Sequence, residues 1–302
     1  IEAQDYMNDK VRDESIVSLS KGVVRMNRVT SQTMAKLYQT ADGLSAKDIR
    51  LKGAHNNQYY ILKNKDGSAL ARYEAAKKRL VPVPNHRAYG ITPRNQEQNF
   101  ALDALLNPAV SLVSLTGIAG TGKTLLALAA ALAQEDDYDQ ILLSRPVIPL
   151  KNQEMGFLPG DIKEKLAPYM LPLMDNLSVI KGSVKENSRD HLRIEEMLKT
   201  EKLLISPLAY IRGRSLSKVF FIVDESQNLT PHEVKTIITR AGEGSKLVFT
   251  GDIHQIDQPY LDMHSNGLTY LTDKMLGQDL FAHVNLVKGE RSRLAEVAGN
   301  IL

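Results

Sequence analysis

Gly117-Ile118-Ala119-Gly120-Thr121-Gly122-Lys123-Thr124 sets glycines, a lysine and a hydroxyl at the spacing G-x-x-x-x-G-K-T. Glycines let a backbone wrap closely around phosphate groups with its N–H groups turned inward, and a helix that starts there adds partial positive charge. Lys123 is placed to neutralise β and γ phosphates, and the Thr124 hydroxyl to hold Mg²⁺. Leu125, next along, completes the expected nucleotide-lining set. A second group is Asp224-Glu225, directly behind the apolar run Val219 to Val223. Asp224 is expected to hold the metal and Glu225 to take a proton from an attacking water. A third is Gly251-Asp252-Ile253-His254-Gln255, in which the Gln255 amide could bond both γ-phosphate and water. His254 has no second nitrogen or sulfur ligand at metal-site spacing and reads as exposed or structural. Gln98, ahead of all three, has the donor and acceptor that adenine requires. Together these residues predict Mg²⁺-dependent hydrolysis of ATP.

Such groups work only if strands deliver them to one edge. Short apolar runs occur at 112–115, 141–144, 203–206, 219–223, 247–250 and 284–287, with amphipathic or alanine-rich helical stretches between most of them. Strands apolar on both faces belong to a parallel sheet covered by helices on each side. The fold class is therefore α/β, doubly wound, from residue 91 to 302. Pro93 reads as the first turn of a helix before the first of these strands. Thr230-Pro231-His232-Glu233 has capping-box spacing ahead of another.

Residues 15–90 differ in character, with 14 Lys and Arg against 4 Asp and Glu, whereas the whole chain carries only +3. Tyr59 to Leu62 and Ala69 to Tyr73 flank Asn64-Lys65-Asp66-Gly67, a hairpin signature with Asp-Gly turn chemistry. The segment is thus expected to be a small basic β-rich module, with 1–14 a solvated linker. Its charge suits a polyanion, and Lys77-Lys78-Arg79 is the run expected to grip RNA backbone. The tyrosines could stack bases or form the buried face of the hairpin. With no cysteine, and with Leu125 to Ala133 as its longest apolar run, the chain fits a cytoplasmic protein without a membrane partner.

Gln98, the glycine loop, Asp224 to Asn228 and Gly251 to Gln255 together resemble the first RecA-like core of superfamily 1 helicases. With Arg145-Pro146, Gly156 to Gly160, Arg212-Gly213-Arg214 and Gly289 to Ser292, they resemble more specifically the PhoH-like ATPases, in the form fused behind a PIN nuclease domain. Ser226 stands where alanine is commoner in that family. The resemblance implies a RecA-like P-loop core and an ATPase acting on RNA, expected single-stranded, as a helicase or translocase. It also implies assembly as a ring, with a hexamer as the expected form and a PIN domain upstream. A single core lacks the arginine that a second core supplies, so Arg291, with Arg293 beside it, is expected to reach a neighbouring copy's site. Arg145, Arg212 and Arg214 stand in reserve. Two other readings compete. One is a regulatory ATPase that switches a protein partner without unwinding. The other is a small-molecule kinase, disfavoured because Glu225 and Gln255 suit activation of water.

Overall fold

The computed structural model describes residues 10–14, 16, 23–39, 43–148, 162–211, 213 and 215–289. The first elements are β1 (Val24–Asn27), α1 (Ser31–Gln39), β2 (Leu44–Ser45), β3 (Tyr59–Lys63), β4 (Ser68–Glu74) and β5 (Arg79–Pro82). They form a five-stranded sheet in the order β1-β3-β4-β5-β2. The β3–β4 hairpin closes through Asn64, whose Oδ1 accepts from the N–H groups of Asp66 and Gly67 at 2.9 and 2.8 Å. Gly67 does not adopt positive φ, so the Asp-Gly signature is realised as an asparagine-supported turn. Tyr59 and Tyr60 are both buried but on opposite faces of β3, Tyr59 packing with Phe100 and Tyr60 with Leu37 and Leu80, so neither of these two rings is free for base stacking.

The remaining elements are α2 (Gln96–Leu106), β6 (Leu112–Gly117), α3 (Lys123–Ala133), β7 (Gln140–Arg145), α4 (Ile162–Ser183), α5 (Arg189–Lys199), β8 (Leu203–Pro207), β9 (Val219–Val223), α6 (Pro231–Ile238), β10 (Lys246–Gly251), α7 (Gly267–Met275) and β11 (Phe281–Leu286). Six of them make a wholly parallel sheet in the order β11-β6-β10-β9-β7-β8. Successive side chains on a strand point to opposite faces, and both faces are buried here. Phe220 and Ile222 pack with α2, α3, α4 and α5, whereas Phe221 and Val223 pack with α6 and α7. This is the doubly wound α/β architecture that the apolar runs predicted.

Local rules set the ends of these elements. Pro93 lies ahead of α2 and not within its first turn. Asn95 is the N-cap, and its side chain accepts from the Gln98 N–H. The capping box of α6 forms as expected, Thr230 and Glu233 each accepting from the other's backbone N–H. The last strand begins at Phe281, three residues before the predicted 284, and stops before Val287. His283 had broken the apolar run, yet it is buried in the sheet with Nδ1 3.2 Å from both Ser114 O and Ser114 Oγ.

The basic sheet is fastened to the larger one. Tyr59 donates to Asp103 at 2.9 Å, Arg72 Nε lies 3.2 Å from the same carboxylate, and Asn57 donates to the carbonyls of Asp279 and Phe281 at 2.9 Å each. Val23, Tyr59 and Ile61 join the core around α2 and α3. Within the segment expected to be a solvated linker, Val11 is buried and its N–H donates to His264 O at 2.9 Å.

Candidate nucleotide site

The loop between β6 and α3 takes its shape from three left-handed glycines. Gly117, Gly120 and Gly122 have φ of 145°, 81° and 89°. A Cβ on Gly117 would collide with the Leu286 carbonyl, so that position combines an unusual backbone angle with a close approach to β11. Thr121 is fully buried and donates to Ile118 O at 3.0 Å, closing the loop on itself. Lys123 opens α3 and donates to the carbonyls of Gly117 and Ile118 at 2.6 and 3.0 Å, which holds its ammonium over the loop. Ile118 is exposed and Ala119 half-buried at the loop's rim, while Leu125 is half-buried on the first turn of α3.

β9 carries Asp224 at its C-terminal end, and β10 lies between β9 and β6. Thr124 Oγ1 donates to Asp224 Oδ1 at 2.6 Å, and Thr250 Oγ1 donates to the same oxygen at 2.6 Å. Two hydroxyls from different elements thus converge on one buried carboxylate. Ser226 is fully buried and donates to Thr250 O at 2.8 Å, giving that hydroxyl a partner in place of the commoner alanine methyl.

Glu225 follows with left-handed backbone, φ 51° and ψ 38°, a conformation that costs a non-glycine residue about 1–3 kcal/mol. The turn aims its carboxylate differently from Asp224. Burial, reinforced by the Asp224 charge, pushes the Glu225 pKa above the ordinary value of 4.5, while Gln227, Arg145 and Lys123 pull it down. Arg145 NH2 at the end of β7 lies 3.9 Å from Glu225 Oε1. A carboxylate made more basic by its surroundings is suited to accepting a proton near neutrality.

In the sequence Gln227 is one letter of the Asp224-to-Asn228 pattern, and the structure makes it the joint of the site. Fully buried, it donates to Glu225 Oε2 at 2.7 Å and to Gln255 O at 2.8 Å, and it accepts from Asp252 N at 3.2 Å. A Cβ on Gly251 would collide with its Oε1, so that glycine is required by close approach. Gln255 is exposed at the same edge, and His254 is exposed too. Among the described residues no three His, Cys, Asp or Glu side chains cluster as a metal centre. Oxygen donors of the Thr124–Asp224 kind suit Mg²⁺, which keeps much of its own water shell.

Gln98 is placed beside the loop, with both ends of its amide bonded to protein. Nε2 donates to Thr121 O at 3.0 Å, and Oε1 accepts from Arg94 N at 2.8 Å. In this arrangement it props the phosphate loop. Arg291, Arg293, Arg212 and Arg214 lie outside the described residues.

A parallel sheet with a glycine loop after β6, a magnesium-suited carboxylate after β9 and helices on both faces defines a P-loop nucleoside triphosphatase core. The PhoH-like protein family model matches residues 90–301. The chain belongs to the PhoH-like family, and its core is of the P-loop NTPase type. It is 40% identical to protein PhoH2 of Bacillus subtilis (strain 168), over 99% of this chain and 68% of the relative. It is 35% identical to protein PhoH2 of Thermobispora bispora over 78% of this chain, and 37% identical to that of Mycolicibacterium smegmatis over 78%. It spans 53% and 52% of those two relatives, about half their length. Solved structures similar to it include the Pif1 helicase of Candida albicans, at 17% identity and a TM-score of 0.36, covering 70% of this chain and 44% of that one. A Bacteroides Pif1 in complex with ADP-AlF4 is similar at 17% identity and a TM-score of 0.34, covering 69% of this chain and 45% of that one.

Proposed function

We propose that this chain hydrolyses ATP with Mg²⁺ and couples the hydrolysis to handling of single-stranded RNA, as a helicase or translocase. The observation that carries the reading is the convergence of Lys123, Thr124, Asp224 and Glu225 on one sheet edge, with Thr124 and Asp224 already bonded. Gly117 to Thr124 would surround the phosphates, and Lys123 would exchange its bonds to loop carbonyls for phosphate oxygens. Thr124 and Asp224 would hold Mg²⁺, which supplies charge neutralisation on the phosphates when bound. Glu225 would take the proton of a water oriented with help from Gln255, and Gln227 keeps those two residues in register. Leu125, Ile118 and Ala119 would border the nucleotide, with Gln98 on the adenine side.

The RNA limb is supported by the positive balance of residues 15–90 and by the resemblance to the PhoH-like ATPases behind a PIN domain. We take the working form to be a hexameric ring, with Arg291 serving the neighbouring copy's site, a PIN nuclease domain upstream and the cytoplasm as its compartment. We take 1–14 as linker, 15–90 as the basic module and 91–302 as the ATPase domain. Among the described residues, no helix is long and apolar enough to cross a membrane. The test is steady-state ATP hydrolysis with and without single-stranded RNA. Turnover that rises with RNA is expected. Turnover that ignores RNA refutes this coupling and leaves the regulatory ATPase.

A further inference from the structure

The run expected to grip RNA backbone, Lys77 to Arg79, is partly committed within the protein. Lys77 pairs with Glu74 at 3.0 Å, and Arg79 donates to Gly43 O at 3.0 Å. The opposite end of the β3–β4 hairpin looks different. There β1 runs parallel to β3 with Asn27 opposite Lys63, which brings Arg28 beside the Asn64–Gly67 turn. A cleft of about 740 Å³ opens between them, lined by Asn27, Arg28, Thr30, Lys63, Lys65 and Asp66 among others. Arg28, Lys63 and Lys65 are exposed, and none of them forms an ion pair among the described residues. The one carboxylate of the cleft, Asp66, accepts from Ser31 Oγ at 3.1 Å, and Asn64 donates to the same hydroxyl at 3.1 Å, so the walls are tied together. Three exposed cations around a concave, polar surface match the spacing chemistry of a phosphodiester chain rather than an apolar partner.

The cleft also connects to the phosphate loop. Three successive residues in the first turn of α2 make three different bonds. Gln96 donates to Ser68 Oγ, directly after the hairpin turn, at 3.0 Å. Glu97 pairs with Arg25 of β1. Gln98 donates to Thr121 O of the phosphate loop at 3.0 Å. β1, which forms one wall of the cleft, and Ser68, directly after the hairpin turn, are therefore bonded to the same helical turn that props the loop.

We propose that the Arg28–Lys63–Lys65 cleft grips the backbone of a single-stranded polynucleotide, and that the first turn of α2 transmits its occupancy to the phosphate loop. This rests on the RNA reading above and adds the surface and the route. The experiment measures fluorescence anisotropy of labelled single-stranded RNA and of DNA of the same sequence, across a salt series, with the full chain. It compares wild type, Arg28→Ala/Lys63→Ala/Lys65→Ala and Lys77→Ala/Lys78→Ala/Arg79→Ala. Each phosphate contact contributes about 0.7 to the log–log salt slope for single strands, so the cleft variant should flatten the slope by about 2 and weaken binding roughly tenfold or more. The Lys77–Arg79 variant should change both far less. Unstimulated ATP turnover should be unaltered in either variant, because none of these side chains touches the nucleotide site. Gln96→Ala should keep RNA affinity and lose most of the RNA stimulation. Stronger binding of RNA than DNA names RNA as the occupant, and equal binding names the shared phosphodiester backbone. Wild-type protein that binds neither polymer overturns the RNA reading and the cleft together. Wild-type binding that survives unchanged in the cleft variant overturns the cleft alone. Full stimulation in Gln96→Ala overturns the route through α2.

Discussion

Replacing Gln227 by leucine tests whether one buried amide sets both the stability of the site and the basicity of Glu225. The side chain is fully buried and makes three hydrogen bonds, to Glu225, Gln255 and Asp252. Leucine has nearly the same reach but neither donor nor acceptor. The buried Asp252 N–H loses its partner, at about 1–3 kcal/mol, and the bond to the charged Glu225 is lost, at about 1.5–3 kcal/mol. The Gln255 carbonyl belongs to an exposed residue and can turn to water, so its loss should count for little. The sum is about 2.5–6 kcal/mol, which at roughly 2–4 °C per kcal/mol for a domain of this size predicts a fall in Tm of about 5–24 °C. The chemistry changes as well. The Gln227 bond lowers the Glu225 pKa, so removing it lets burial and the Asp224 charge raise that pKa further. A general base works only when deprotonated, so the acid limb of the ATPase pH profile should move to higher pH. Thermal unfolding and turnover from pH 5 to 9 read the two effects separately. A Tm within a degree of wild type, together with an unmoved acid limb, would refute the claim that Gln227 joins the β9 and β10 ends of the site.

Three further outcomes are expected. Glu225→Gln should keep ATP binding and slow turnover by about 10²–10⁴-fold. It should also raise Tm at pH 7.5: the folded state raises the Glu225 pKa, so the ionised carboxylate costs stability above that pKa, and the gain should vanish near pH 4, where wild type is protonated folded or unfolded. Lys246 is buried, donates to Leu105 O and Asn107 O at 2.6 and 2.9 Å, and is pushed by burial from 10.5 down to about 8. Its contribution to stability is therefore lowest below pH 8 and rises between pH 8 and 10.5, a rise that denaturant titrations should find in wild type and not in Lys246→Met. Mixing inactive Lys123→Ala with inactive Arg291→Ala subunits should restore part of the turnover, because some interfaces then join an intact loop to an intact arginine. Confirmed mixed assemblies without recovery count against Arg291 acting across the interface.

The phosphate loop was legible because its instructions are consecutive. Gly117, Gly120 and Gly122 specify backbone conformations, and an apolar strand before and a helix after are local signals. The parallel sheet was legible for a related reason, since strands buried on both faces leave unbroken apolar runs such as Val219 to Val223. What the sequence did not reveal depends on pairs far apart in the chain. Thr250 looked like the polar end of a strand, and only the insertion of β10 between β6 and β9 brings it to Asp224. His283 interrupted an apolar run and moved the predicted strand three residues too late, because its partner on the neighbouring strand, Ser114, stands 169 residues away. Gln98 was chosen for what an amide can offer adenine, yet its geometry depends on Thr121 and Arg94, which no spacing rule relates to it. The same logic applies to charge. Lys77-Lys78-Arg79 stood out because the residues are adjacent, whereas Arg28 is remote in sequence from Lys63 and Lys65 and meets them only when β1 pairs with β3. Cations that are adjacent in sequence tend to find acids in the same turn, as Lys77 finds Glu74 three residues away. Arg28, Lys63 and Lys65 form no ion pair among the described residues, which is why the folded chain, and not the run of basic letters, indicates where a polyanion would rest.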